Sequence, residues 1–166
     1  KTSKASGADA VKFQLIYADE IATKDYKYYD LFKKLEIGKS GWEQITKLAN
    51  SLSIDLIFDI FGNQSLAEAT NLGISSIKIH PTDFTNKIFI RKISSNTQIK
   101  SIFAGTGGAS FKEIETFISL ISDKKIILTH GYQGYPTPLN ENCLGRLGIL
   151  KNLCKNKNNC YRIIRQ

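Results

Sequence analysis

Lys125-Ile126-Ile127-Leu128-Thr129-His130-Gly131-Tyr132-Gln133-Gly134-Tyr135-Pro136-Thr137-Pro138 passes from an unbroken apolar run straight into a loop crowded with polar, aromatic and proline residues. A strand covered on both faces reads as continuously apolar rather than alternating. In barrels and doubly wound α/β proteins, ligands bind where such strands end. Similar runs, rich in β-branched residues, occur at 10–16, 55–61, 76–80 and 100–104, with a weaker one at 161–164. Amphipathic segments separate them, each strand–helix unit spanning about 20–25 residues, the rhythm of parallel α/β architecture. Six strands allow either an open sheet or an incomplete (β/α)8 barrel, and periodicity alone does not choose between them.

Helix starts are marked by Ser40-x-x-Glu43, Ser65-x-x-Glu68 and Ser110-x-x-Glu113, each of capping-box form. After Ser110, the residues Phe111, Ile114, Phe117, Ile118 and Ile121 share one helical face. An additional helix is expected at 25–36, with Tyr26, Tyr28, Tyr29 and Phe32 packing against the outside of the barrel. Nothing in composition divides the chain, so residues 1–166 are expected to form a single domain.

The chain has 166 residues, 42% of them hydrophobic, enough for a substantial core. No apolar run approaches the ~18 residues of a membrane span, and no leader-like apolar segment opens the sequence. A soluble, cytoplasmic protein without a membrane partner is therefore expected. Three cysteines, Cys143, Cys154 and Cys160, are odd in number and lack metal-ligand spacing, which fits a reducing compartment. The absence of Met suggests a stretch of a longer reading frame. The net charge of +8 allows an anionic partner. The lysines are scattered, however, without the aromatic interleaving of a nucleic-acid stripe. A dispersed basic surface is the favoured reading, and no nucleic-acid partner is expected.

The unusual polar residues share one location. Lys12 and Gln14 close the first strand, Asp59 the second, and Lys78 and His80 the third. Gly105-Thr106-Gly107-Gly108 follows the fourth and His130 ends the fifth. In a parallel barrel those ends face one mouth. Lys12 and Lys78 interrupt apolar strands, and a buried ammonium needs a carboxylate, a phosphate or a covalent role. A Lys12–Asp59 or Lys78–Asp83 ion pair competes with an anionic substrate, and two lysines at one mouth favour the substrate. The glycine turn could present backbone N–H groups to a phosphate, or simply be a tight connection. His80 and His130 lack a third ligand of matching placement, so a hydrogen-bonded histidine is preferred to a metal site. Tyr135, stiffened by Pro136, either lines a pocket or packs under its loop.

At these residues the chain resembles the N-acetylneuraminate (sialic acid) synthase family. Gly7-Ala8-Asp9-Ala10-Val11-Lys12-Phe13-Gln14 matches the family's G-A-D-A-V-K-F-Q. Lys78, Asp83 and Asn86 follow its K-I-x-S-x-[DE]-x-x-N pattern. Residues 106–110 are similar to a T-G-M-[AS]-[ST] turn, and 130–138 to H-C-T-x-x-Y-P-[AT]-P. The resemblance implies a partial (β/α)8 TIM barrel of about six parallel strands, incomplete at both ends. It implies a transferase that condenses phosphoenolpyruvate with an N-acetylated amino sugar, giving a nonulosonic acid.

Carried over by position, Lys12 and Lys78 would hold the carboxylate or phosphate of phosphoenolpyruvate. Gln133 and Tyr135 would line the same pocket, Tyr135 also reaching the sugar, and Gln14 and Asp83 would bind sugar hydroxyls. Lys78 and Asp83 are the implied catalytic pair. Asn86, Thr106, Gly107 and His130 join the implied substrate contacts. A divalent metal, Mn or Mg, would polarise the aldehyde, and a homodimer is implied for the full-length protein. The family's metal histidines lie further along than Gln166, so no metal ligand is assigned within this chain, and the chain alone is expected to be inactive.

Departures accompany the match. Asp59-Ile60-Phe61-Gly62 stands where the family has T-P-F-D, Pro81 where a serine is common, and Gly105 where another serine precedes the turn. Two other readings stand beside the synthase, and the lost hydroxyls favour the second of them. One is a Schiff-base aldolase with Lys78 as nucleophile; the other is a non-catalytic sugar-binding barrel.

Overall fold

The computed structural model describes residues 1–132, 134, 136–155 and 160–165. The chain divides into two compact units, residues 1–77 and 78–166.

In the first unit, α1 (Thr2–Ala5) precedes β1 (Ala10–Gln14), followed by α2 (Ala18–Ile21), α3 (Tyr29–Leu35) and α4 (Lys39–Ser51). Then come β2 (Asp55–Asp59) and α5 (Asn63–Asn71). Strands β1 and β2 pair in parallel, Ala10 opposite Asp55 through Gln14 opposite Asp59. The core forms around Trp42 of α4, whose ring meets Phe58 at 5.1 Å and Phe13 at 6.0 Å between centroids. Both separations lie in the range favoured by aromatic pairs. Ala49, two turns after Trp42, is buried on the same helix.

Strand β3 (Ser76–Ile79) opens in the first unit and ends in the second. Beyond it come a 3-10 turn (Pro81–Asp83), α6 (Lys87–Ser95), β4 (Ser101–Gly105), α7 (Phe111–Leu120) and β5 (Lys125–His130). A second 3-10 turn (Leu139–Glu141), α8 (Arg146–Lys155) and β6 (Cys160–Arg165) follow. Strand β5 lies parallel to β4, Ser101 opposite Lys125 through Gly105 opposite Thr129. On its other side it lies parallel to β6, with a register shift between Ile126 and Ile127. Ile126 and Leu128 of β5, and Ile114 and Phe117 of α7, are fully buried. Phe117 stacks on Phe84 at 4.5 Å. Strand β5 is buried from Ile126 to His130, as its unbroken apolar run requires.

Several local expectations need correction. Only Ser110 acts as the N-cap of its box: Glu113 N donates to Ser110 Oγ, and Glu113 Oε2 accepts from Ser110 N at 2.7 Å. Ser65 is instead the third residue of α5, its hydroxyl accepting from the amides of Phe61 and Gly62. Ser40 lies inside α4, which Gly38 caps. A serine three residues before a glutamate marks a helix start without saying which residue is the cap. The helix expected at 25–36 is the shorter α3. Tyr26 and Tyr28 are exposed and meet each other and Phe32 rather than a buried surface.

Cys154 and Cys160 form a disulfide between the end of α8 and the start of β6, where three reduced thiols were expected. Their Cα atoms lie 5.0 Å apart, within bridging range. Cys143 is a free, exposed thiol. Among the described residues, no helix is long and apolar enough to cross a membrane.

Candidate active site

Strand geometry decides which residues reach a common space. Side chains two apart on a strand share a face, so Lys78 and His80 at the end of β3 point together. In the second unit they border a cavity of about 610 Å³. The β4 end contributes Gly105, Thr106 and Gly107, β5 contributes Thr129, and the loop after it contributes Gly131 and Tyr132. Lys78 lines this cavity while only 6% exposed.

The glycine turn is built tightly. Thr106 donates through both its amide (2.9 Å) and its hydroxyl (3.0 Å) to the carbonyl of Thr129, anchoring the turn on β5. Ala109 N closes the turn on Thr106 O, with Gly108 at φ +80°. That left-handed conformation suits glycine and strains other residues. Arg146 Nη2 donates to the carbonyls of Thr106 and Ala109.

Of the residues singled out in the sequence, Lys78, His80, Gly105, Thr106 and Gly107 line this cavity. His130 does not: one residue beyond Thr129, it takes the opposite face of β5. It is 4% exposed and its Nε2 lies 2.8 Å from the carbonyl of Asn142, to which it donates. Asp83 ends the 3-10 turn after β3. Asn86 caps α6, its Oδ1 accepting from Phe89 N at 3.2 Å. Gln133 and Tyr135 lie outside the described residues.

Lys12 and Gln14 belong to the first unit. The sequence reading treats Lys12 as buried like Lys78, but about a third of its side chain is exposed. Gln14, two residues on, is exposed as well. Lys12 Nζ pairs with Asp59 Oδ2 at 2.9 Å. The carboxylate at the position of a family hydroxyl thus has an ammonium beside it.

Sequence reasoning passed over Thr129, Tyr132 and Arg146. Alternation along β5 could have pointed to Thr129. Tyr132 is about half exposed, and its hydroxyl is hydrogen-bonded to Glu141, which pushes its pKa up. Gly134 packs close to the Tyr132 ring, where a Cβ would meet Cε1 at 3.0 Å.

A family description, that of the NeuB family, matches residues 1–158. The chain belongs to the NeuB family. This NeuB-family chain is 26% identical to an uncharacterized protein of Methanocaldococcus jannaschii over 156 residues, covering 92% of the chain and 46% of that protein. It is 27% identical over 155 residues to the N,N'-diacetyllegionaminic acid synthase of Legionella pneumophila, covering 81% of the chain and 43% of that protein. Among solved structures, the N-acetylneuraminic acid (sialic acid) synthetase of Leptospira borgpetersenii superposes with a TM-score of 0.82 at 23% identity. That match covers 90% of the chain and 53% of the synthetase. The NeuB-family fold is accordingly α/β, a partial (β/α)8 barrel of parallel strands with flanking helices. The chain spans about half the length of the relatives it matches.

Proposed function

We propose that the chain is part of a synthase that joins phosphoenolpyruvate to an N-acetylated amino sugar, giving a sialic-type nonulosonic acid. The observation that carries the reading is the buried Lys78 beside a glycine turn in one cavity at the ends of β3, β4 and β5. A lysine ammonium is a compact point charge suited to a phosphate or carboxylate, and its burial strengthens the attraction. Membership of the NeuB family and likeness to a legionaminic acid synthase support the same reaction class.

In the proposed chemistry, C3 of phosphoenolpyruvate attacks the sugar aldehyde and the carbonyl oxygen takes a proton. Water adds at C2, and the C2–O bond to phosphate breaks. Lys78 would hold the anionic end of phosphoenolpyruvate, with Thr106 and Gly107 shaping the wall beside it. Asp83, Asn86, Gln14, Lys12, His130, Gln133 and Tyr135 stay proposals for the remaining contacts, and residues 1–166 are proposed as part of one barrel domain. The family's divalent metal has no ligand set here: among the described residues, no three His, Cys, Asp or Glu side chains gather to hold an ion. No step is therefore drawn through a metal.

Titration calorimetry of phosphoenolpyruvate into the chain tests the reading. Binding that weakens at least about tenfold in Lys78→Ala is expected, the loss of one charge-assisted contact. No heat at millimolar ligand would sink it. Borohydride trapping of Lys78 with a keto acid would instead establish the imine-forming aldolase.

A further inference from the structure

We infer that Arg146 is a positioning residue for the anion site, holding the glycine turn in the shape that faces the cavity. The inference rests on the reading of that cavity as a phosphate-bearing ligand's site. Arg146 is the first residue of α8, yet its guanidinium reaches back 40 residues to Thr106 O and 37 to Ala109 O. Those carbonyls bracket Gly107 and Gly108. Thr106 is held as well by the bonds from its amide and hydroxyl to Thr129 O. The turn is thus clamped from both β5 and α8.

Two further observations show that the guanidinium is built in. It lies over the Phe111 ring, 5.0 Å from the centroid, and its Nε is buried with no partner among the described residues. The aromatic face suits the planar guanidinium better than an ammonium, while two carbonyl bonds from one nitrogen are within reach of either. No carboxylate forms an ion pair with it among the described residues. Its positive charge therefore stands next to the turn, and the potential it adds favours an anion bound there.

The test combines two readouts on the full chain and its Arg146→Ala and Arg146→Lys variants. First, amide hydrogen exchange is followed at Ala109, bonded to Thr106 O, and at Thr106, bonded to Thr129 O. In Arg146→Ala, exchange at Ala109 is expected to rise about tenfold or more while Thr106 stays protected, a local opening rather than unfolding. Second, phosphoenolpyruvate affinity is expected to fall about tenfold in Arg146→Ala. Arg146→Lys should recover part of it, and added guanidinium ion should restore part of it to Arg146→Ala. Lys151→Ala, an exposed change on the same helix, should alter neither.

Unchanged Ala109 exchange would overturn the inference, as would a loss of affinity that neither lysine nor guanidinium relieves. If the parent chain binds no phosphoenolpyruvate, the proposed function fails. The exchange readout then still decides whether Arg146 holds the turn.

Discussion

Lys12 Nζ lies 2.9 Å from Oδ2 of Asp59, linking the middle of β1 to the end of β2 through a carboxylate that is 1% exposed. Removing the ammonium alone leaves a buried negative charge, whereas replacing both partners by apolar groups of similar volume need not. Lys12→Met is expected to destabilise by about 2 kcal/mol, discounted from a fully buried pair because the lysine is partly solvated. The double variant Lys12→Met/Asp59→Leu should recover most of that loss. Urea unfolding of the four-member cycle measures it; simple additivity would show that the pair contributes nothing.

Glu20 caps a helix to which it does not belong. Its carboxylate accepts from Gln64 N at 2.6 Å and Ser65 N at 3.1 Å, at the start of α5. It fits because residue 62 is glycine: a Cβ there would collide with the carboxylate. Gly62→Ala should displace Glu20, and Glu20→Ala should lower stability by about 1 kcal/mol, the usual worth of a cap. Gly62→Asp in the Glu20→Ala background should restore stability, because the cap then comes from the neighbouring residue. Thermal melts that leave the double variant as unstable as the single one would refute this.

Glu113 bonds the Ser110 hydroxyl and amide, and those bonds hold its pKa below the usual carboxylate value. A carboxyl lowered on folding contributes stability above its unfolded pKa and loses it as pH falls through the folded one. The stability difference between the parent chain and Glu113→Gln should be constant at neutral pH. It should shrink as pH drops below the usual glutamate range and vanish under the lowered value. A difference that grows on acidification would have the wrong sign.

Gly105 has room for a side chain. A Cβ would lie 3.6 Å from Ile79 O and Pro81 Cδ and 3.9 Å from Lys78 Cε, ordinary contacts. Gly105→Ser should therefore fold normally and bring a hydroxyl next to the lysine. Phosphoenolpyruvate affinity should rise by about three- to tenfold, the gain from one hydrogen bond. Weaker binding by calorimetry, with an unchanged melting temperature, would place the ligand elsewhere.

Thiol titration should count one reactive cysteine, Cys143, before reduction and three after it. Reduction should lower stability by about 2 kcal/mol, as expected for so short a loop. Three thiols in the untreated chain would remove the bridge.

The strands were legible because apolar runs such as 126–128 leave a parallel, doubly covered strand few alternatives. The site was legible in part. Lys12 and Lys78 look alike in sequence, each a cation in an apolar run, yet one is solvated and ion-paired while the other is 6% exposed. Strand burial, a tertiary property, separates them. His130 drew attention as a rare residue, but alternation gives the cavity to Thr129 instead. Arg146 was invisible because its partners are backbone carbonyls 37 and 40 residues away, which carry no side-chain signature.

Lys124 stands just before β5, 6% exposed, with its ammonium donating to the carbonyls of Asn96 (2.6 Å) and Ile99 (2.9 Å) ahead of β4. Burial pushes its pKa down. This fastening lies at the amino ends of the strands, opposite the end where β4 and β5 meet the cavity. Evolution can therefore lengthen, shorten or rewrite the mouth loops between these two strands without unfastening them. A lineage built on this fold can change what its mouth admits while inheriting the same foundation.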